Sequence, residues 1–232
     1  MELDDFSLEP LEKELLVDSV ETNASVSLVR SDNSYSGFVP LTPSAVKTLT
    51  DQGVKIFVEF GFAAGSPYAD AEYAEAGAEF VEKFADLAIL GKIIVKYNGF
   101  TKEQVMTIPK DKVVFTVMRP ENLSVGYVDA LNSRNITSFS AELIKGERGE
   151  AVLGKIGEES LSPIGHCVAL SSFLLPLVET LLFTPTIAYA IQRNPLITQG
   201  VYTHLGWLCS REIADELGIR WRDLLSLCWD LN

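Results

Sequence analysis

Short apolar runs alternate along the chain with stretches whose apolar residues recur at helical spacing. Residues 26–30 read as a strand. Thr42-Pro43 then supplies an N-cap with proline at the first helical position, Val46 and Leu49 give the apolar spacing, and Gly53 closes the helix. The same reading gives a strand over 54–59, a helix capped by Asp70 and ended by Gly77, and a strand over 89–95. A helix from Thr101, a strand over 113–117, a helix over 123–131 and a strand over 136–140 complete the series. Strands that are nearly continuously apolar and alternate with helices predict an α/β fold, a parallel sheet with helices on both faces.

Beyond Glu142 the texture changes. Residues 145–162 are charged and carry Gly146, Gly149, Gly154 and Gly157, which reads as a loop. After it the pattern is helical, broken at Pro185 and Pro195, with a late helix that Ser210 caps and Gly218 ends. The apolar stretch 167–183 is interrupted by Pro176 and Glu179 and falls short of the roughly 20 apolar residues that cross a bilayer. It reads instead as a helix buried against the sheet or against a second copy, so a homodimer and no membrane partner are expected. The expected organisation is one domain over 25–232, with 1–24 a separate acidic segment.

The 232 residues, 47% of them hydrophobic, suffice to bury about 70% of the unfolded surface without staples. A net charge of -13, with Glu2, Asp4, Asp5, Glu9, Glu12 and Glu14 at the start, would repel phosphate backbones, which excludes nucleic acid as the expected partner. The three cysteines, Cys167, Cys209 and Cys228, form no C-x-x-C, and no basic, apolar, cleavable signal opens the chain, so a cytoplasmic setting is expected. His166 and His204, the only histidines, each lie near a cysteine, yet the spacing encodes neither a metal site nor a Cys-His pair. Trp207, Trp221 and Trp229 with Leu224 and Leu225 read as an apolar cluster for core or dimer packing.

Three groups of residues carry a resemblance. The first is Val39-Pro40-Leu41-Thr42-Pro43-Ser44-Ala45-Val46, and the second runs from Val58-Glu59-Phe60-Gly61 through Gly65, Asp70, Glu72-Tyr73 and Ala76-Gly77-Ala78. The third comprises Leu175-Pro176, Asn194-Pro195-Leu196, Gly200, Thr203, Gly206 and Ala214-Asp215-Glu216-Leu217-Gly218. Together they resemble the N-terminal, substrate-side domain of alanine dehydrogenases and nicotinamide nucleotide transhydrogenase α subunits, and more distantly that of saccharopine dehydrogenases. The resemblance implies a dinucleotide-binding Rossmann domain inserted where this chain has only residues 143–162. No G-x-G occurs in the sequence, so the glycine turn that lets a backbone approach a pyrophosphate is missing.

The same resemblance places the family's substrate-clamping arginine at Phe38, its catalytic histidine at Arg119 and its substrate lysine at Lys96, with Lys92 as the alternative. Phenylalanine makes no bidentate carboxylate contact, and an always-charged guanidinium is no general base near neutral pH. The expectation is a small-anion-binding or structural module, without its own NAD site and not catalytic by itself. The alternative is the substrate-side component of a split NAD(P)-dependent oxidoreductase acting on amino acids, with a partner chain supplying the Rossmann domain.

Read without the resemblance, the strands end in Arg30, Glu59, Lys96, Arg119 and Glu142. Ligands of parallel sheets gather beyond the carboxyl ends of the strands. Lys96, Arg119, Arg30 and Glu142 are therefore the candidate binding residues, with a small carboxylate or phosphate as the ligand. Charged residues at strand ends that simply meet solvent are the other explanation.

Overall fold

A computed structural model of the chain describes residues 24–229 apart from 33, 34, 36, 122 and 161. The acidic segment expected over 1–24 therefore lies almost wholly outside the described residues.

Among the described residues strand and helix alternate up to Ser140: β1 (Ser25–Val29), α1 (Pro43–Asp51), β2 (Lys55–Glu59), α2 (Asp70–Glu75), β3 (Glu79–Val81), α3 (Phe84–Leu90), β4 (Ile93–Lys96), α4 (Lys102–Thr107), β5 (Val113–Thr116), α5 (Val125–Ser133) and β6 (Thr137–Ser140). A 3₁₀ turn, Ala141–Leu143, leads into α6 (Val152–Glu159), α7 (Pro163–Phe183), α8 (Ile187–Arg193) and α9 (Pro195–Gly200). The chain then returns to the sheet as β7 (Val201–His204) and β8 (Trp207–Leu208) and ends in α10 (Arg211–Leu217) and α11 (Leu224–Trp229).

The eight strands lie in the order β3-β2-β1-β4-β5-β6-β7-β8. All pairings from β3 to β6 are parallel, and β6–β7 and β7–β8 are antiparallel. Winding runs outward from β1 to β3 and restarts at β4 on the other side of β1, so the order reverses between β1 and β4.

Alternate residues of each strand face opposite layers. Val26 and Leu28 of β1 join one core with Ile93, Val95, Val113 and Phe115, covered chiefly by α1, α2, α7, α8, α9 and α11. Val29, Phe57, Ile94 and Val114 join the other, covered by α3, α4, α5 and α10. Burial on both faces is why the strands read as unbroken apolar runs.

Several expectations need correction. The strand expected over 89–95 begins only at Ile93, because Ile89 and Leu90 finish α3 and Gly91 makes the break. Asp70 does not cap α2: it is the first helical residue, and its carboxylate accepts the N–H groups of Gly61 (2.8 Å) and Ala63 (3.0 Å), tying down the preceding turn. Residues 145–162 are not all loop, since α6 lies within them and sets Val152, Leu153 and Ile156 against the first core. The C-terminal third is not all helical. Leu205 and Gly206, both at positive φ (50° and 76°), turn β7 into β8 as a two-residue hairpin.

Helix α7 begins four residues earlier than the apolar run suggests, where Ser162 caps it and Pro163 opens it. Its 21 residues, with a mean hydropathy of 1.7 over an 18-residue window, would let it span a membrane by length and composition. Here Cys167, Leu170, Leu174, Leu177, Val178 and Leu181 are buried in the first core, while Ile164, Val168 and Phe183 are about half exposed. Of the residues expected to pack in the core as an apolar cluster, only Leu224 is buried, and Leu225 is 41% exposed. Leu224, Leu227 and Cys228 are buried, but Trp207, Trp221 and Trp229 lie at the surface, and Arg222 stacks 3.8 Å over the Trp207 ring.

Candidate functional site

The strand ends between β1 and β4 form the crevice where open α/β sheets bind ligands. Lys96 is the last residue of β4, and its side chain is fully buried. Its Nζ reaches Asp32 Oδ1 (3.2 Å), Gln104 Oε1 (3.3 Å) and the Gly99 carbonyl (3.4 Å), and it sits 5.4 Å from the centre of the Phe100 ring. Burial pulls the ammonium below the usual lysine range, and the carboxylates of Asp32 and Glu59 oppose that pull.

Asp32 comes from the loop after β1. One carboxylate oxygen lies on Lys96 Nζ, and the other accepts from Asn98 Nδ2 at 2.5 Å. Asn98 Oδ1 in turn accepts the Asp32 backbone N–H at 3.3 Å, so the two residues clasp each other. Gly99 follows, where an added Cβ would fall 2.3 Å from Pro120 Cα; only glycine lets the β4–α4 loop approach the β5–α5 loop so closely.

Two cavities meet at Asp32. One, of about 390 Å³, is lined by Asn98, Thr101, Lys102, Glu121 and Ser124 among others; the other, of about 250 Å³, is lined by Arg30, Ser31, Glu59 and Gln104. Asp32 lines both and Lys96 lines neither.

The remaining rim residues pair with one another. The Arg30 backbone N–H donates to Glu59 Oε2 (2.9 Å), and its exposed guanidinium lies along Gly61. The Arg119 backbone N–H donates to Glu142 Oε2 (2.7 Å), while its guanidinium reaches Glu216 (3.3 Å) and, more distantly, Glu142 (3.8 Å). The cavity of about 240 Å³ beside Arg119 also carries Glu121, Glu142 and Glu216, three carboxylates to one guanidinium. Arg119 and Glu142 are thus brought together, and Lys96 is paired elsewhere, with a residue that the strand-end reading did not single out. Asp32 and Asn98 could have been sought as polar loop residues just past adjacent parallel strands.

Phe38 lies in a line of rings, stacked on Tyr97 (5.4 Å) and tilted against His166 (4.8 Å), with Tyr35 on the other side of Tyr97 (5.8 Å). It lines an apolar cleft of about 540 Å³ with Pro67, Pro163 and Ile164. Burial lowers the pKa of His166 and brings that of His204, on β7, down to about 4. The three cysteines are buried and unpaired, and burial raises each thiol, Cys209 to about 12, so none is a ready thiolate. Among the described residues no cluster of His, Cys, Asp and Glu could hold a metal ion.

Comparison with known proteins bears on this geometry. The family described as alanine dehydrogenase/PNT, N-terminal domain, matches residues 32–156. Comparison with the curated proteins gives no match. Among solved structures, an L-alanine dehydrogenase superposes with a TM-score of 0.70 at 11% identity, over 83% of this chain and 98% of that one. A transhydrogenase from Sinorhizobium meliloti gives a TM-score of 0.46 at 27% identity, over 52% of this chain and 34% of that one.

Proposed function

Because the chain belongs to the alanine dehydrogenase/PNT N-terminal domain family, we propose that it is a ligand-holding module, which seats a small carboxylate at Lys96 and does not transfer hydride on its own. The observation that carries this reading lies between β6 and α7. At the point where the resemblance implies an inserted dinucleotide domain, the chain makes a 3₁₀ turn and α6, and Val152, Leu153 and Ile156 of α6 pack on the core of the sheet itself. That segment offers no glycine turn on a long helix for a pyrophosphate.

The polar groups of the rim agree with holding rather than reacting. Arg119, largely covered and bridged to two glutamates, is always charged and takes no proton from a substrate. Phe38, stacked among aromatic rings, offers no clamp for a carboxylate. Lys96 is the buried cation of the crevice, beside an amide donor, Asn98. NAD(P) would enter only with a partner chain that brings its own nucleotide domain. The test is NADH fluorescence titration together with alanine-dependent NAD reduction on the purified chain. Neither signal is expected; a micromolar Kd, or turnover abolished by Lys96→Met, would show a working enzyme.

A further inference from the structure

We infer that Asp32 is a built-in occupant of the carboxylate seat formed by Lys96 Nζ and Asn98 Nδ2, so that an external small carboxylate binds by displacing it. The inference rests on the reading of Lys96 as the ligand-holding cation and adds to it a second donor and a lock. Its ground is the pose of Asp32. One oxygen lies on the ammonium and the other on the amide, which is the two-pronged arrangement that a free carboxylate would adopt against the same two donors.

Position supports the same conclusion. Asp32 lines the cavities on both of its sides, whereas Lys96, completely buried, lines neither. The Asp32 side chain is therefore the wall common to both cavities, completed by Gly99 and Phe100 on one side and Gln104 on the other. It is also the exposed partner of the pair, 57% accessible against 0% for Lys96. A rotation of its side chain carries the carboxylate into water at little desolvation cost and leaves the backbone clasp with Asn98 in place. That rotation would join the two cavities over Lys96 Nζ. Lys102 and Arg30, one in each cavity, keep the approaches from being uniformly acidic.

A seat that is open only about 1–10% of the time weakens apparent affinity by about 10- to 100-fold. Acetate is the probe, because with a methyl and a carboxylate it reproduces the end of the Asp32 side chain. Binding is read by ligand-observed NMR and by the rise in thermal midpoint, at constant ionic strength set with chloride, for wild type, Asp32→Ala and Asp32→Ala/Lys96→Met. The lock predicts acetate binding to Asp32→Ala at least about tenfold tighter than to wild type, and lost again in the double variant. Equal, Lys96-dependent binding to wild type and Asp32→Ala would overturn the lock while leaving the carboxylate seat standing. No binding to a folded Asp32→Ala would overturn the lock and the seat together. Should Asp32→Ala not fold, Asp32→Ser, too short to reach both donors, vacates the seat; acetate binding to it no tighter than to wild type would then overturn the lock.

Discussion

Lys96 and Arg119 stand at the ends of neighbouring parallel strands, yet the protein treats the two cations differently. Lys96 is sealed, with every contact drawn from within the crevice and one exposed carboxylate as its counter-charge. The Arg119 side chain is 28% accessible, reaches two glutamates on different elements and borders a cavity with more carboxylates than cations. A charged residue at a strand end is thus no single category. Lys96 is buried with partners from its own crevice, whereas Arg119, partly exposed, ties the end of β5 to the turn after β6 and to α10.

The contrast can be broken by substitution. Asp32→Ala leaves a buried ammonium without its partner and is expected to cost the most, about 3 kcal/mol in urea unfolding near neutral pH. A comparable change should come from acid at His204. Its ring is 4% exposed, with Nδ1 2.9 Å from the Thr137 hydroxyl, and its Nε2 makes no hydrogen bond among the described residues. Its folded pKa of about 4 lies below the unfolded value of about 6.5, so the stability it contributes is complete above pH 6.5 and is lost as pH falls towards 4. That loss amounts to roughly 3 kcal/mol, and His204→Gln should flatten this part of the pH–stability curve.

Lys96→Met should cost less than Asp32→Ala, about 1 kcal/mol, because the Asp32 carboxylate it frees is already open to water and methionine fills the space of the stem. Equal costs for the two would mean that Asp32 is as desolvated as Lys96. Arg119→Met is the smallest change, below about 1 kcal/mol and shrinking further with added salt, since its partners are solvent-screened.

Much of this architecture is legible in the sequence, because strands buried on both faces must be apolar throughout, and Thr42 and Ser210 do cap helices. The unread parts have local causes. Strand β7 is four residues long, and its hairpin places Leu205 at positive φ, where asparagine or glycine would have marked the turn. Helix α6 carries two glycines and no fully buried residue, so its sequence looks like a loop. For the candidate site, the strand ends point to Lys96 and Arg119, but Asp32 sits in the polar run Ser31-Asp32-Asn33-Ser34, where nothing local sets it apart. Only the pairing of β1 with β4 brings it to the ammonium.

The claim that matters most is that Lys96, and not Arg119, holds the ligand. Pyruvate binding followed by ligand-observed NMR, which reads weak complexes, tests it directly on wild type, Lys96→Met and Arg119→Met. The account predicts binding that is lost in Lys96→Met and changed by less than about twofold in Arg119→Met, since exposed ion pairs contribute little. Binding that survives Lys96→Met, or that disappears with Arg119→Met, would contradict it.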